Sequence, residues 1–415
     1  MISTLDVANR VRCEGAAATA ANLKQAISEG LLTYQDFPSL KLLFECLVVD
    51  KADGKSSAGS RILSEQMMSE EAASFVTVDA FNVVASQLFF NAFTTKYNAA
   101  DYTVKGMFKK IPSNLTQGET FGGISNVAKV LKPVAMTDEL PTITPQQDYT
   151  ISPAQERRGA IMNIGMDLMR ADQTGQIMNY FETFGEAVGL TDELEACGTL
   201  ADVDYNATNG ANYPRTHINW KKTPYSTYLS GAITPSNPWS NLLTGDVANP
   251  LVDWNNINNA FVVIGTTLDP YTGWPIAVSG RYKLIVPTPL LFTAERIKKS
   301  VQFRSGTESS NNSILITAGD GSANVVEFDI VVSKYLHQIL VNNGLQTNDP
   351  TTCQWYFGVP EQAFSWQSMI DIQMAQAIPN AGQMFTRSLA ASYKCERVKT
   401  SYVFNPRYMT KNLVS

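Results

Sequence analysis

Histidine is almost absent. The 415-residue chain has two, His217 and His337, which leaves little room for imidazole-based acid–base or metal chemistry. Cysteine is scarce as well. Cys13, Cys46, Cys197, Cys353 and Cys395 are odd in number and scattered, and no CxxC pair occurs. That pattern argues against a disulfide framework and a zinc cluster, and for a reducing compartment. Charged residues make up 17% of the chain, below the roughly 25% of an average soluble domain. Acidic residues outnumber basic ones, 38 to 32, for a formal net charge of -6. The densest basic stretch, 105–110, holds only Lys105, Lys109 and Lys110, so a surface that grips phosphates tightly is not expected. No run of about 18 apolar residues occurs, so no membrane-spanning helix is expected. Met1-Ile2-Ser3-Thr4-Leu5-Asp6 lacks the basic-then-apolar pattern of a signal peptide.

Uncharged polar residues take the place of charge, as in Asn255-Asn256-Ile257-Asn258-Asn259. Such a surface has little long-range repulsion and tolerates close packing against copies of itself. The length allows two or three domains, and the 44% hydrophobic content is enough for real cores.

Helix dominates the first hundred residues. Segment 17–32 is rich in alanine, and 79–97 carries Phe81, Val84, Leu88 and Ala92 at steps of three and four. Phe89, Phe90 and Phe93 widen that face, which predicts cover on more than one side. The segment 53–60, Asp-Gly-Lys-Ser-Ser-Ala-Gly-Ser, is a loop or hinge. Over 111–151, Gly118, Gly122, Gly123, Pro112, Pro133, Pro141 and Pro145 punctuate short extended pieces. This predicts a two-stranded excursion with little core of its own, and such a hairpin needs a partner surface. A strand follows over 157–164. A helix is predicted from about 173 to 196, capped by Asp172, with Ile177, Phe181, Phe184 and Val188 as its stripe. Further on, the patterns predict a helix over 251–265, a turn over 269–275, a strand over 282–286 and a helix from 290 to about 300. Strands over 326–332 and 355–357 and extended pieces over 384–391 and 393–404 complete the reading. The expected class is α+β.

Motifs that could carry chemistry fail on inspection. Gly54-Lys55-Ser56 lacks the glycine a phosphate-binding loop needs five positions earlier, where Val49 stands. Ala277-Val278-Ser279-Gly280 has alanine where a nucleophile elbow needs glycine. His217 lies in a polar stretch, and His337 is read as a structural or surface histidine just after a strand. Asp202-Val203-Asp204 and Asp320-Gly321-Ser322 lack the alternating ligands and closing glutamate of a calcium loop. The Asn114, Asn206 and Asn311 triplets match a glycosylation pattern but are read as chance. No catalytic, cofactor-binding or metal-binding residue is assigned, and no cofactor is expected.

The order of elements resembles the Hong Kong 97 type of tailed-bacteriophage major capsid protein. Local sequence is similar to the Mu-like branch of that family. Arg158-Gly159-Ala160-Ile161-Met162-Asn163-Ile164 followed by Asp172-Gln173-Thr174-Gly175 resembles its strand-to-spine entry. Asp253-Trp254, then 268–276, then Leu284-Ile285-Val286-Pro287 resemble its axial core. Trp355-Tyr356-Phe357-Gly358 and Phe404-Asn405-Pro406-Arg407-Tyr408 resemble its closing part. The resemblance spans roughly residues 75 to 410. It implies an N-terminal helical arm (1–110), an extended β-hairpin loop (111–156) and a peripheral domain with a spine helix (157–244). An axial domain (245–383) and returning C-terminal strands (384–415) follow. It further implies self-assembly through pentamers and hexamers into an icosahedral shell around double-stranded DNA, held without sequence-specific contacts, which a mildly acidic chain suits. Scaffolding and portal proteins, and in some shells a decoration protein, are the implied partners. The implied place is the virion, with assembly in the host cytoplasm and no membrane contact. Helices that begin almost at once imply no large cleaved prodomain. Some such shells join a lysine to an asparagine; Lys129 and Lys132 lie in the loop, but no activating carboxylate is identifiable. An encapsulin-like compartment is the alternative and would need a site for cargo peptides; an enzyme would need a convergent titratable set.

Overall fold

The computed structural model describes residues 10, 13–14, 16–32, 75–99, 101–114, 121–124, 147–151, 153, 155–165, 176–203, 218–220, 223–233, 237–268, 274–299, 302–303, 314–315, 328–377 and 389–414. In chain order the helices and strands are α1 (Ala16–Ser28), α2 (Phe75–Tyr97), β1 (Lys109–Pro112), β2 (Phe121–Ile124), β3 (Gln147–Ile151), β4 (Glu156–Gly165) and α3 (Gln176–Ala201). Next come β5 (Ile218–Trp220), β6 (Thr223–Tyr225), β7 (Leu242–Leu243), α4 (Trp254–Thr266), β8 (Tyr282–Pro287), α5 (Leu291–Lys299), β9 (Gln302–Phe303) and β10 (Ile314–Leu315). The chain closes with β11 (Phe328–Ser333), α6 (Lys334–Asn342), β12 (Trp355–Gly358), α7 (Pro360–Ala363), β13 (Phe364–Ala377), β14 (Leu389–Val403) and β15 (Met409–Asn412). The helices accompany sheets that mix parallel and antiparallel pairs, and the chain is α+β.

Two compact units form. One comprises 1–99, 157–190 and 372–397; the other comprises 100–156, 191–371 and 398–415. The division falls inside β4, α3, β13 and β14, so each of these elements contributes residues to both.

The smaller unit is built on aromatic packing. Phe89 of α2 stacks on Phe181 of α3 with centroids 4.0 Å apart, and both rings meet Tyr393 of β14 edge-on at 5.2 and 4.8 Å. These are the offset and perpendicular geometries that ring quadrupoles favour. The α1 helix lies against α2, where Asn91 Nδ2 donates to the Ile27 carbonyl at 3.2 Å. Phe90 stays exposed while Val84, Leu88, Phe89 and Phe93 are buried, so the wide apolar face of α2 is covered on most sides.

The larger unit is organised by a five-stranded sheet in the order β11-β8-β12-β15-β7. The β8–β11 and β15–β7 pairs are parallel, and β12 is antiparallel to both of its neighbours. Side chains alternate between two cores, as the pleat requires. Leu284, Val286, Trp355 and Phe357 face Ile257, Ala260 and Ile264 of α4 and Ala294 and Ile297 of α5. Ile285, Tyr356 and Met409 face the end of α3 and Leu336, Ile339 and Leu340 of α6. Because both faces are covered, β12 reads as the unbroken apolar run Trp355-Tyr356-Phe357. Gly358 ends it at φ +152, where a Cβ would meet the Tyr408 carbonyl oxygen at 2.2 Å.

Several expectations need adjustment. The long helix runs to Ala201, past the expected end at 196, because Ala196, Cys197, Leu200 and Ala201 are all buried; packing overrides the weak propensity of Gly198. His337 lies within α6, whose N-cap is Ser333. The 14-residue β13 is a further addition to the sequence reading. The α4 helix starts at Trp254 with a reciprocal Asp253–Asn256 capping box. Leu268 bridges Pro275; residues 269–273 of the expected turn lie outside the described residues. At the predicted excursion, β2 pairs antiparallel with β3 from Phe121↔Ile151 inward, and β5 and β6 extend this into a four-stranded sheet. The residues between β2 and β3, and the expected cap Asp172, lie outside the described residues.

Candidate functional site

Among the described residues of the larger unit, a cluster of buried charge lies along the second half of α3. Its residues split into two stripes at helical spacing. Asp192, Glu195 and Thr199 meet β14. Glu193 and Cys197 meet the segment 104–105 and Ser333.

Lys399 of β14 is the hub. Its Nζ lies 2.7 Å from Asp192 Oδ2 and 2.7 Å from Asp371 Oδ1, and 5.1 Å from the centre of the Trp366 ring. Lys399 is 4% exposed and Asp192 1%. Lys110 of β1 reaches the other Asp371 oxygen at 2.6 Å. Burial alone would raise the Asp371 carboxyl, but the charges and hydrogen bonds of Lys399 and Lys110 outweigh it and hold it below its ordinary value. Glu193 accepts the backbone N–H groups of Val104 and Lys105 at 3.0 and 2.8 Å, yet burial outweighs them and raises its carboxyl. The Lys105 ammonium is pushed down to about 8 by burial, against the pull of Asp192, with Lys399 also lowering it. Glu195 accepts the Ser401 N–H at 3.1 Å, and Thr199 and Ser401 share a hydroxyl bond at 2.5 Å.

This arrangement braces α3 against β1, β13 and β14. A buried ion pair adds little net stability, but removing one partner strands the other and costs about 3–5 kcal/mol. Its value is in fixing which atoms meet. Sequence reading missed the network. The available signal was Thr191-Asp192-Glu193-Leu194-Glu195, three acids within four positions in the buried half of the helix; its partners lie far away in the chain.

The remaining motif residues do not converge. His337 bonds to Asn348 Oδ1 at 3.0 Å and Gln346 Nε2 at 2.7 Å, away from any serine or cysteine. Ser279 accepts from Gln362 Nε2 at 2.5 Å. Cys197 is buried beside Glu193 and Ser333, and burial raises its thiol well above the ordinary range. Cys353 is pushed up to about 11, again by burial; thiols so shifted are poor nucleophiles at neutral pH. Asp202 ends α3 with φ +58 and accepts the Thr227 N–H. Among the described residues there is no metal-ligand cluster, and no helix is long and apolar enough to cross a membrane. His217, Gly54-Lys55-Ser56, Asp204, Asp320, Lys129 and Lys132 lie outside the described residues.

The ionic network around Lys399 braces a fold with two cores around one sheet. The chain belongs to the phage capsid protein family: that family's model, described as phage capsid protein, matches residues 148–412. It is a major capsid protein, the repeated subunit of an icosahedral phage shell, and its place is the virion. No curated protein matches it in sequence. Similar solved structures include the capsid of the cyanophage P-SCSP1u, 11% identical over 74% of this chain and 85% of that chain, with TM-score 0.43. Gordonia phage Cozz is 10% identical over 75% and 86%, with TM-score 0.40. The virus-like particle from Pyrococcus furiosus is 9% identical over 78% and 96%, with TM-score 0.37.

Proposed function

We propose that this subunit has the Hong Kong 97 layout, in its Mu-like form, and builds its shell from pentamers and hexamers. The arm is 1–110, the extended loop 111–156, the peripheral domain 157–244, the axial domain 245–383, and 384–415 are the returning strands. The observation that carries this reading is the hairpin. The two ends of the predicted excursion pair as β2 and β3, and Ile151 at its base is buried in the larger unit's core. A loop anchored at its base and short of core of its own needs a neighbouring copy as its support. Phe292 and Trp274, 84% and 61% exposed, also favour contact surfaces between copies.

On this reading the shell encloses double-stranded DNA without sequence-specific contacts, and assembly takes place in the host cytoplasm. A separate scaffolding protein, a portal and in some cases a decoration protein are the partners. The subunit performs no catalysis. Deleting 118–145 tests the hairpin's role: the expected product is a soluble, folded subunit that fails to close shells. Normal shells from the deleted chain, or an unfolded product, would contradict the assignment.

A further inference from the structure

The larger unit contains a cavity of about 440 Å³, walled by Asp202 at the end of α3, Ser226, Tyr228, Thr351 near β12, and Lys411 of β15. That volume lies within the range of about 300–1,000 Å³ typical of small-molecule sites. Lys411 lines it under unusual constraint. Its Nζ donates to the Ala201 carbonyl at 3.0 Å and lies 5.5 Å from the centre of the Tyr228 ring. That ring is itself fixed, because the Tyr228 hydroxyl donates to the Leu200 carbonyl at 2.6 Å. Among the described residues Lys411 makes no ion pair. Asp202, which shares the cavity wall and acts electrostatically on Lys411, receives the Thr227 N–H at 3.3 Å. Asp202 and Tyr228 are the other titratable groups in the cavity wall.

A desolvated amine in a cavity wall, held by one carbonyl over an aromatic face and with no ion-pair partner within bonding distance among the described residues, is placed to react as a nucleophile. We propose that this cavity is a modification site in which Lys411 captures a small hydroxylated aldehyde, a short open-chain sugar, as an imine. The Ser226 and Thr351 hydroxyls and the Asp202 carboxylate are matched to sugar hydroxyls. One cation and one carboxylate give no net pull on an anionic ligand, so a neutral polyol fits better than an acid. In the reaction the Nζ lone pair bonds to the carbonyl carbon, and the carbonyl oxygen takes the proton that nitrogen sheds. The resulting carbinolamine loses its hydroxyl and the second nitrogen proton as one water, and C=N forms. No oxidant or reductant takes part. Burial pushes the Lys411 ammonium down to about 8 against the opposing pull of Asp202, so the neutral amine is accessible near neutral pH.

The test is competitive labelling of the full-length chain with glyceraldehyde, trapped by cyanoborohydride and mapped by peptide mass spectrometry. The exposed Lys24 and Lys109 serve as internal references. Lys411 is expected to gain one reduced triose roughly tenfold faster than either reference near pH 7, since its neutral form is more abundant. Its rate should rise with a midpoint near pH 8. Asp202→Asn should move that midpoint down, because the anion that favours the ammonium is gone. Lys411→Arg keeps the cation and the bond to Ala201; it should lose the label at this position with an unchanged melting temperature. Propanal, with no hydroxyls, should lose most of the preference for Lys411. Labelling no faster than at Lys24 and Lys109 would overturn the proposal, as would equal preference with propanal or a midpoint unmoved by Asp202→Asn.

Discussion

At residue scale the Lys399 hub makes the sharpest demands. Lys399→Ala strands Asp192 in a buried site and should destabilise the fold by about 3–5 kcal/mol, measured by chemical denaturation. Lys399→Met combined with Asp192→Leu removes both charges and should recover most of that loss; equal damage from the pair would argue that Asp192 is held by groups other than Lys399. The pH response has a defined sign. The Asp371 carboxyl is depressed in the folded state, so its contribution is present above the unfolded pKa of about 3.9 and is lost as pH falls through the folded value. The Glu193 carboxyl is raised, so its contribution is the reverse: present at low pH and lost as pH rises through its folded value. Asp371→Asn should therefore flatten the loss of stability below about pH 4, at a neutral-pH cost of less than about 1 kcal/mol because that carboxylate is partly exposed. A denaturation series against pH that shows the same acid slope in both proteins would contradict the assignment.

At element scale the fold shows which patterns are self-announcing. The α4 helix was legible because Leu251, Trp254, Ile257, Phe261 and Ile264 recur at helical spacing, whereas the Asp253–Asn256 cap that sets its start at Trp254 was not read. The β12 strand was legible because both of its faces are buried, which leaves an apolar run. The β13 strand carried a readable signal, with Phe364, Trp366, Ile370, Ile372 and Met374 on alternate positions, but Ser368 in the apolar row and Met369 in the polar row interrupt it. The α6 helix likewise has Leu336, Ile339 and Leu340 at helical spacing behind the Ser333 cap. The ionic network left only its acidic run on α3 to be read, because Asp192, Asp371 and Lys399 come together only through the finished fold. Close helix approach is similarly hidden. At Gly185 of α3 a Cβ would meet the Phe93 carbonyl oxygen of α2 at 2.4 Å. Gly185→Ala should therefore destabilise by about 1–3 kcal/mol despite its better helix propensity. A thermal melt of this variant at or above the wild-type midpoint would show that α2 and α3 can separate freely.

At the scale of the whole molecule, scarcity of charge and histidine becomes intelligible. A shell subunit meets copies of itself over much of its surface, and uncharged polar residues keep that surface free of strong repulsion. No single contact has to be strong, because closed symmetry repeats each one many times. The sequence carried this conclusion through the order of its elements, since no reactive site had to be located for it. The most direct test is negative-stain electron microscopy of the expressed full-length chain, with size-exclusion chromatography, alone and together with the separate scaffolding protein proposed above. The account predicts closed shells or capsomer-sized rings. A monomer or dimer that persists at high concentration, with the scaffold present, would contradict it.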